Sequence, residues 1–232
     1  MGRKRAYSWR MRLLALALLL LVAGGGWAWW QGTHWKPERA AYPQQGVVIG
    51  ERDGLVAFDS LRAIGAQFVY LEASRGETGR DEAFGRNLDA VMASGVPFGV
   101  IHAYDPCVPA ERQAANFLTI VPRGGLQLPP AIQLTKLADR CEDRLAEAAI
   151  ESELTTFLNQ VEGHAGRPAV LKLSPEFQAR YHIASSVERN LWLARDWLQP
   201  DYAGRPWTLW TANTHLRSEV SDEPIRWVVV QP

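Results

Sequence analysis

Eight short apolar runs, set apart by turn residues or by stretches with helical periodicity, constrain this chain more than any other feature. They cover residues 46–50, 67–74, 98–104, 130–135, 169–173, 191–195, 207–211 and 225–230. Runs of that length read as strands, and strands alternating with helices imply parallel β/α units. Two intervening helices are clearest. One spans 81–94, where Phe84, Leu88, Val91 and Met92 share a face before Gly95 ends it; the other spans 142–162, with Leu145, Ala149, Leu154, Leu158 and Val161 on one stripe. Ser174-Pro175 reads as an N-cap followed by a first-turn proline. The expected fold class is α/β, a modified and partly irregular β/α (TIM-like) barrel. No internal repeat or low-complexity tract competes with it.

A basic cluster (Arg3, Lys4, Arg5, Arg10, Arg12) precedes 18 residues without charge, from Leu13 to Trp30. That length spans a bilayer with little tilt. Positive charge before the span favours a cytoplasmic N-terminus, and Trp27, Trp29 and Trp30 sit where an aromatic belt meets the far interface. The competing reading is a cleaved signal peptide, with small residues at Ala23-Gly24 but bulky tryptophans just beyond. The expected organisation is a cytoplasmic tail (1–12), a transmembrane anchor (13–30), a linker containing Pro37 and Pro43 (31–45) and one domain of 187 residues (46–232).

The 25 basic and 25 acidic residues balance, yet seven of the basic ones precede residue 46. The domain is therefore mildly acidic, without the basic stripe a nucleic-acid binder uses to displace counterions. Cys107 and Cys141 fall in the outward-facing part, where a disulfide is permitted. Such a bridge would contribute on the order of 3–4 kcal/mol; two unlinked buried thiols are the other reading. No metal-ligand spacing accompanies them, and no cofactor is implied.

Several segments, in order, carry a family resemblance: Phe68-Val-Tyr-Leu-Glu-Ala-Ser-Arg-Gly76, Gly95-Val-Pro-Phe-Gly-Val-Ile-His102, Gln113-Ala-Ala-Asn-Phe-Leu118, Leu128-Pro-Pro130, Gly166-Arg-Pro-Ala-Val-Leu171, Leu191-Trp-Leu-Ala-Arg195 and Trp207-Thr-Leu-Trp210. Together they resemble the family 25 glycoside hydrolases, the muramidase lysozymes. The resemblance covers essentially all of residues 46–232 and implies a β/α barrel that takes peptidoglycan or another envelope glycan. With the basic cluster and the apolar span at the N-terminus, the expected location is the bacterial inner (plasma) membrane, single-pass, with the domain periplasmic or extracellular. The oligomeric state is left open.

The resemblance places acids where this chain has none. The first strand's Asp aligns with Val48, the fourth strand's Asp-x-Glu with Gln133 and Thr135, the last strand's Asp with Arg226, and the fifth strand's Tyr with Lys172. His102 and Trp210 keep the family type. An amide and a hydroxyl cannot donate and reclaim protons near pH 7, so the expected role is a noncatalytic glycan binder with His102, Tyr104, Lys172, Trp210 and Arg226 as contacts. The alternatives are a muramidase using a relocated acid, Glu72 above all, and an envelope protein-interaction scaffold. Strand alternation puts Tyr70, Glu72 and Ser74 on the inner face, while Glu51, Asp53 and Asp105 follow strands at the same end. The plainer readings are that His102 is a core residue, that Lys172 and Arg226 neutralise Glu72, and that Trp192, Trp197, Trp207 and Trp210 are packing.

Overall fold

A computed structural model describes residues 2–142 and 146–232. The chain divides into two units, residues 1–35 and 36–232. The first is a helix, α1 (Gly2–His34), whose stretch Trp9–His34 is long and apolar enough to cross a membrane.

The second unit carries nine strands: β1 (Gln45–Ile49), β2 (Phe68–Arg75), β3 (Gly79–Arg80), β4 (Phe98–Ala103), β5 (Ala131–Leu134), β6 (Val170–Leu173), β7 (Asn190–Ala194), β8 (Leu209–Leu216) and β9 (Ile225–Val230). Eight of them close a barrel in the order β1-β9-β8-β7-β6-β5-β4-β2, sealed by parallel β1–β2 pairing; β3 only extends the end of β2. Strand β9 runs antiparallel to both neighbours, which is the irregularity expected of a modified barrel.

The helices are α2 (Leu61–Ile64), α3 (Phe84–Ser94), α4 (Ala110–Ile120), α5 (Glu147–Ala165), α6 (Pro175–Tyr181) and α7 (Ile183–Ser186). Helix α3 starts three residues later than its pattern suggests, because Asp81 folds into the preceding turn and accepts the Ala83 N–H at 3.1 Å. Met92, expected on its buried face, is exposed. In α5 the buried stripe is Ile150, Leu154, Phe157, Leu158 and Val161; Ala149 is exposed, and Leu145 lies outside the described residues. Helix α4 had no clean apolar stripe because Gln113 occupies a core position, where both ends of its amide bond the backbone of Asp105 and Val108.

The barrel is filled rather than hollow. Val48, Phe68, Tyr70, Ile101, Ala131, Val170, Trp192, Leu209 and Val228 form its inner cluster, the layered packing expected of such barrels. Gly99 makes room for it: a Cβ there would meet Tyr70 Cε1 at 2.6 Å. Residues 36–45, expected as a stalk, pack on the barrel instead. Lys36 and Arg39 donate to the carbonyls of Ile64 and Gly65, and buried Tyr42 lies against Trp207 and Trp210.

The N-cap at Ser174 is present, its Oγ accepting the Phe177 N–H at 3.1 Å with Pro175 in the first turn. Ser174→Ala is expected to cost about 1 kcal/mol in urea unfolding; no change in midpoint would mean the cap is idle.

Candidate functional site

The C-terminal ends of the parallel strands bring the substituted positions together. Val48 pairs with Arg226 across β1 and β9, and Gln133 pairs with Lys172, which pairs in turn with Trp192. Val48 belongs to the inner core, and Arg226, just above it, is 8% exposed. Its guanidinium reaches two carboxylates, bonding Glu72 Oε1 through Nη1 and Asp53 Oδ2 at 2.7 Å through Nη2. Asp53 also accepts the Gly50 N–H at 2.6 Å. Gly50 is required for this approach, since a Cβ there would strike the Glu72 carboxylate and lie 3.0 Å from Asp81 Oδ2.

Glu72 therefore faces inward, with its carboxylate engaged by the Arg226 guanidinium. Burial works to raise its carboxyl, yet the Arg226 charge and hydrogen bond, Lys172 and Arg52 outweigh that and hold it below the usual range. A general acid near neutrality needs the opposite shift. Arg52 adds a weaker contact at 3.9 Å to Glu72 Oε2. Burial raises Asp53, opposed by Arg226 and the Gly50 N–H. Asp81 stands next to Glu72 and is raised by burial, but both of its oxygens accept backbone N–H groups, from Glu51 at 2.8 Å and from Ala83. Those bonds favour its ionised form and give it a structural role. The bridge of Glu51 to Arg75 at 2.8 Å accounts for another rim acid.

A small cavity of about 90 Å³ sits at this mouth, lined among others by Glu72, Asp81, Arg75, Ala103 and Gln133; it has room for only a few waters. Beside it, sharing Arg75 and Ala103, opens a wider groove of about 460 Å³ along Gly79, Tyr104, Thr135 and Lys136. The groove continues past Thr135 and Lys136 into a space of about 300 Å³ bounded by Asp139 and Glu176. The disulfide between Cys107 and Cys141 ties the loops after β4 and β5 on its flank, and Lys136 bridges to Asp105 at 2.6 Å.

The expected contact residues do not all reach this groove. Thr135 is exposed on its wall, and Tyr104 lines it with its hydroxyl buried and unpaired. His102 is 0% exposed and points away from the barrel interior, against Phe117 and Phe157. Burial pushes it down to about 4, so it stays neutral, and its Nδ1 meets Ser74 Oγ at 2.8 Å. The core reading of His102 thus replaces the ligand-contact reading. Ser74 was expected inside with Glu72; a bulge between them shifts the register and turns Ser74 toward His102. Trp210 is likewise an outer-wall residue, packed on Tyr42 and Trp207 with Nε1 donating to the Arg195 carbonyl at 2.8 Å. Of the four tryptophans, Trp192, Trp207 and Trp210 are packing, and Trp197 is exposed. The rim acid Asp53, which follows the first strand and reads from the sequence either as a solvated loop residue or as a partner of Arg226 or Lys172, is the buried partner of Arg226.

Comparison with known proteins agrees with the barrel fold. The family model described as glycosyl hydrolases family 25 matches residues 49–218. A family 25 glycosyl hydrolase from Bacillus anthracis superposes with a TM-score of 0.76 at 21% identity, covering 86% of this chain and 93% of that one. A bacterial lysozyme from Streptomyces coelicolor gives 0.72 at 17%, covering 82% and 92%. Among curated sequences, YegX of Escherichia coli K12 is 25% identical over 148 residues, 62% of this chain and 52% of that one, so the chain spans about half the length of the curated relatives it matches.

Proposed function

The chain belongs to the glycosyl hydrolases of family 25, and from that premise we propose that its barrel is a noncatalytic binder of peptidoglycan glycan strands or another envelope glycan. We place it at the bacterial inner (plasma) membrane, with α1 as a single-pass anchor and the barrel on the periplasmic or extracellular side. One observation carries the reading: the positions at which the family resemblance implies carboxylates hold Val48, Gln133, Thr135 and Arg226, and Arg226 is engaged by Glu72 and Asp53. Loss of acid catalysis alone lowers a rate by roughly 10²–10⁴. A guanidinium where an Asp would stand also opposes the positive charge that develops on the sugar. The groove along Tyr104, Thr135 and Lys136 supports retained binding.

The test uses the full chain in detergent with purified peptidoglycan. Co-sedimentation without release of new reducing ends is expected. Reducing ends that vanish in Glu72→Gln would establish the muramidase reading, with Glu72 as a relocated acid. Absence of both binding and cleavage would point to an envelope scaffold.

A further inference from the structure

The two ends of the barrel carry opposite charge. At the mouth, the segments 76–83 and 217–224, which follow β2 and β8, each hold three acids and one base. At the other end, where the parallel strands begin, the balance reverses. The lead-in segments 36–44, 61–67, 121–130, 166–169, 187–189 and 203–208 hold seven bases against two acids, Glu38 and Glu188. One of the seven, Arg189, is answered by Glu162 of α5.

The others keep their charge. Lys36 donates to the carbonyl of Ile64, Arg39 to Gly65, Arg62 to Gly95, Arg167 to Gln127, and Arg205 to Ala184, Val187 and Arg189. Neutral oxygens satisfy such donors without cancelling the cation. Lys36, Arg39, Arg62 and Arg123 are exposed. Helices α3, α4 and α5 run back to this end before β4, β5 and β6, and their C-termini contribute about half a negative charge each, less than the excess of bases. Two apolar side chains are exposed at the same rim: Met92 at 61% in the last turn of α3 and Leu118 at 37% in that of α4. Unpaired cations with exposed apolar side chains among them match the interfacial zone of a bilayer.

We propose that this end of the barrel docks on a lipid surface that carries anionic phospholipid, and that the acidic mouth opens on the side away from it. The proposal rests on the reading of α1 as a retained membrane anchor and adds what holds the barrel to the bilayer. The length of chain supports it. Only Trp35 separates His34, at the end of α1, from Lys36, which already bonds the barrel. At about 3.5 Å per residue, one residue makes no stalk. Charge at a lipid surface acts within about 8 Å at physiological salt, so bases on the lead-in segments lie in its range when this end rests on it. The same surface repels the acids of the mouth, and the polarity of the barrel thereby selects which end docks.

Hydrogen–deuterium exchange of the full chain tests this in vesicles of phosphatidylcholine alone and with about 30% phosphatidylglycerol. Amides of 121–130 and 187–189 are expected to exchange about fivefold more slowly in the anionic vesicles, the scale of one base held at an anionic surface, with 76–83 and 217–224 unchanged. The slowing should vanish at about 0.5 M NaCl, where screening shortens the reach of charge to about 4 Å. It should also vanish in the double variant Arg39→Glu with Arg123→Glu and persist in Arg39→Lys with Arg123→Lys, thermal unfolding confirming that both fold. Equal exchange in the two lipids, or slowing at the mouth segments instead, overturns the proposal. Slowing that follows the protein-to-lipid ratio and not the lipid charge also overturns it, since that marks contact between copies. Carbonate extraction separates the premise from the inference. A chain that carbonate releases has no retained anchor, and the anchor reading falls and takes docking with it; a chain that stays integral yet exchanges alike in both lipids removes docking alone.

Discussion

Arg226→Ala is expected to destabilise the barrel by about 3–5 kcal/mol at pH 7, the range for breaking a buried ion pair from one side. For a unit of this size that corresponds to a fall in Tm on the order of 10 °C. The reason is the environment left behind: Glu72 and Asp53, the latter with a side chain 1% exposed, would face each other above Val48 with no cation between them. The pH dependence provides the sign. In the variant, Asp53 keeps the burial and the Glu72 charge that raise it and loses the Arg226 charge that opposes them, while Glu72 loses the largest of the influences that hold it down. An acid raised in this way destabilises the fold at pH above its unfolded value, and the penalty is relieved as pH falls and the group protonates. The deficit relative to the parent should therefore narrow between pH 7 and pH 4. A second variant separates charge from packing: Arg226→Met combined with Glu72→Gln and Asp53→Asn removes the charges together and should recover most of the loss. A pH-independent deficit of less than 1 kcal/mol in Arg226→Ala would show that the network is solvated and unimportant.

Replacing Cys107 and Cys141 by Ser should cost about 3–4 kcal/mol, from the loop of 34 residues' separation that the bridge closes. The bond joins two loops beside the groove, so the loss should extend to ligand retention. The Cys107 N–H is held by Asp105 Oδ1 at 2.9 Å, and Asp105 in turn holds Lys136 on the groove wall. Freeing one loop loosens that chain of contacts. Guanidinium unfolding and co-sedimentation with peptidoglycan check the two effects. Unchanged unfolding midpoints with weakened retention would assign the bridge to the groove alone; unchanged values of both would leave it without a role.

Most of the architecture was legible because its signals are local. Apolar runs of strand length and the Ser174-Pro175 cap depend only on neighbouring residues, and the barrel strands were found within a few residues of their observed limits, except that β8 runs on to Leu216 and the short β3 was not read. Helix α4 was not, because a satisfied buried amide at Gln113 interrupts the apolar stripe by which such helices are recognised. Met92 and Ala149 were placed on buried faces by periodicity alone; both are exposed, while Phe84 and Val91 in α3 and Leu154, Leu158 and Val161 in α5 are buried as expected. Alternation correctly put Glu72 inside and failed two residues later, where the bulge in β2 turns Ser74 toward the helix layer. The same period rule could not tell that His102 and Trp210 stand behind the wall, because residue type, not strand phase, had suggested them as contacts.

The amino-acid sequence by itself determined the β/α alternation, the apolar N-terminal helix and the lack of ionisable oxygens at Val48, Gln133 and Thr135. The tertiary structure alone decided which charges answer one another. Arg226 meets Glu72 across 154 residues of chain and Asp53 across 173. Side-chain periodicity follows from the geometry of one strand, whereas ion pairing requires β1, β2 and β9 to be brought together by closure of the barrel, so no local pattern in the chain could have contained it.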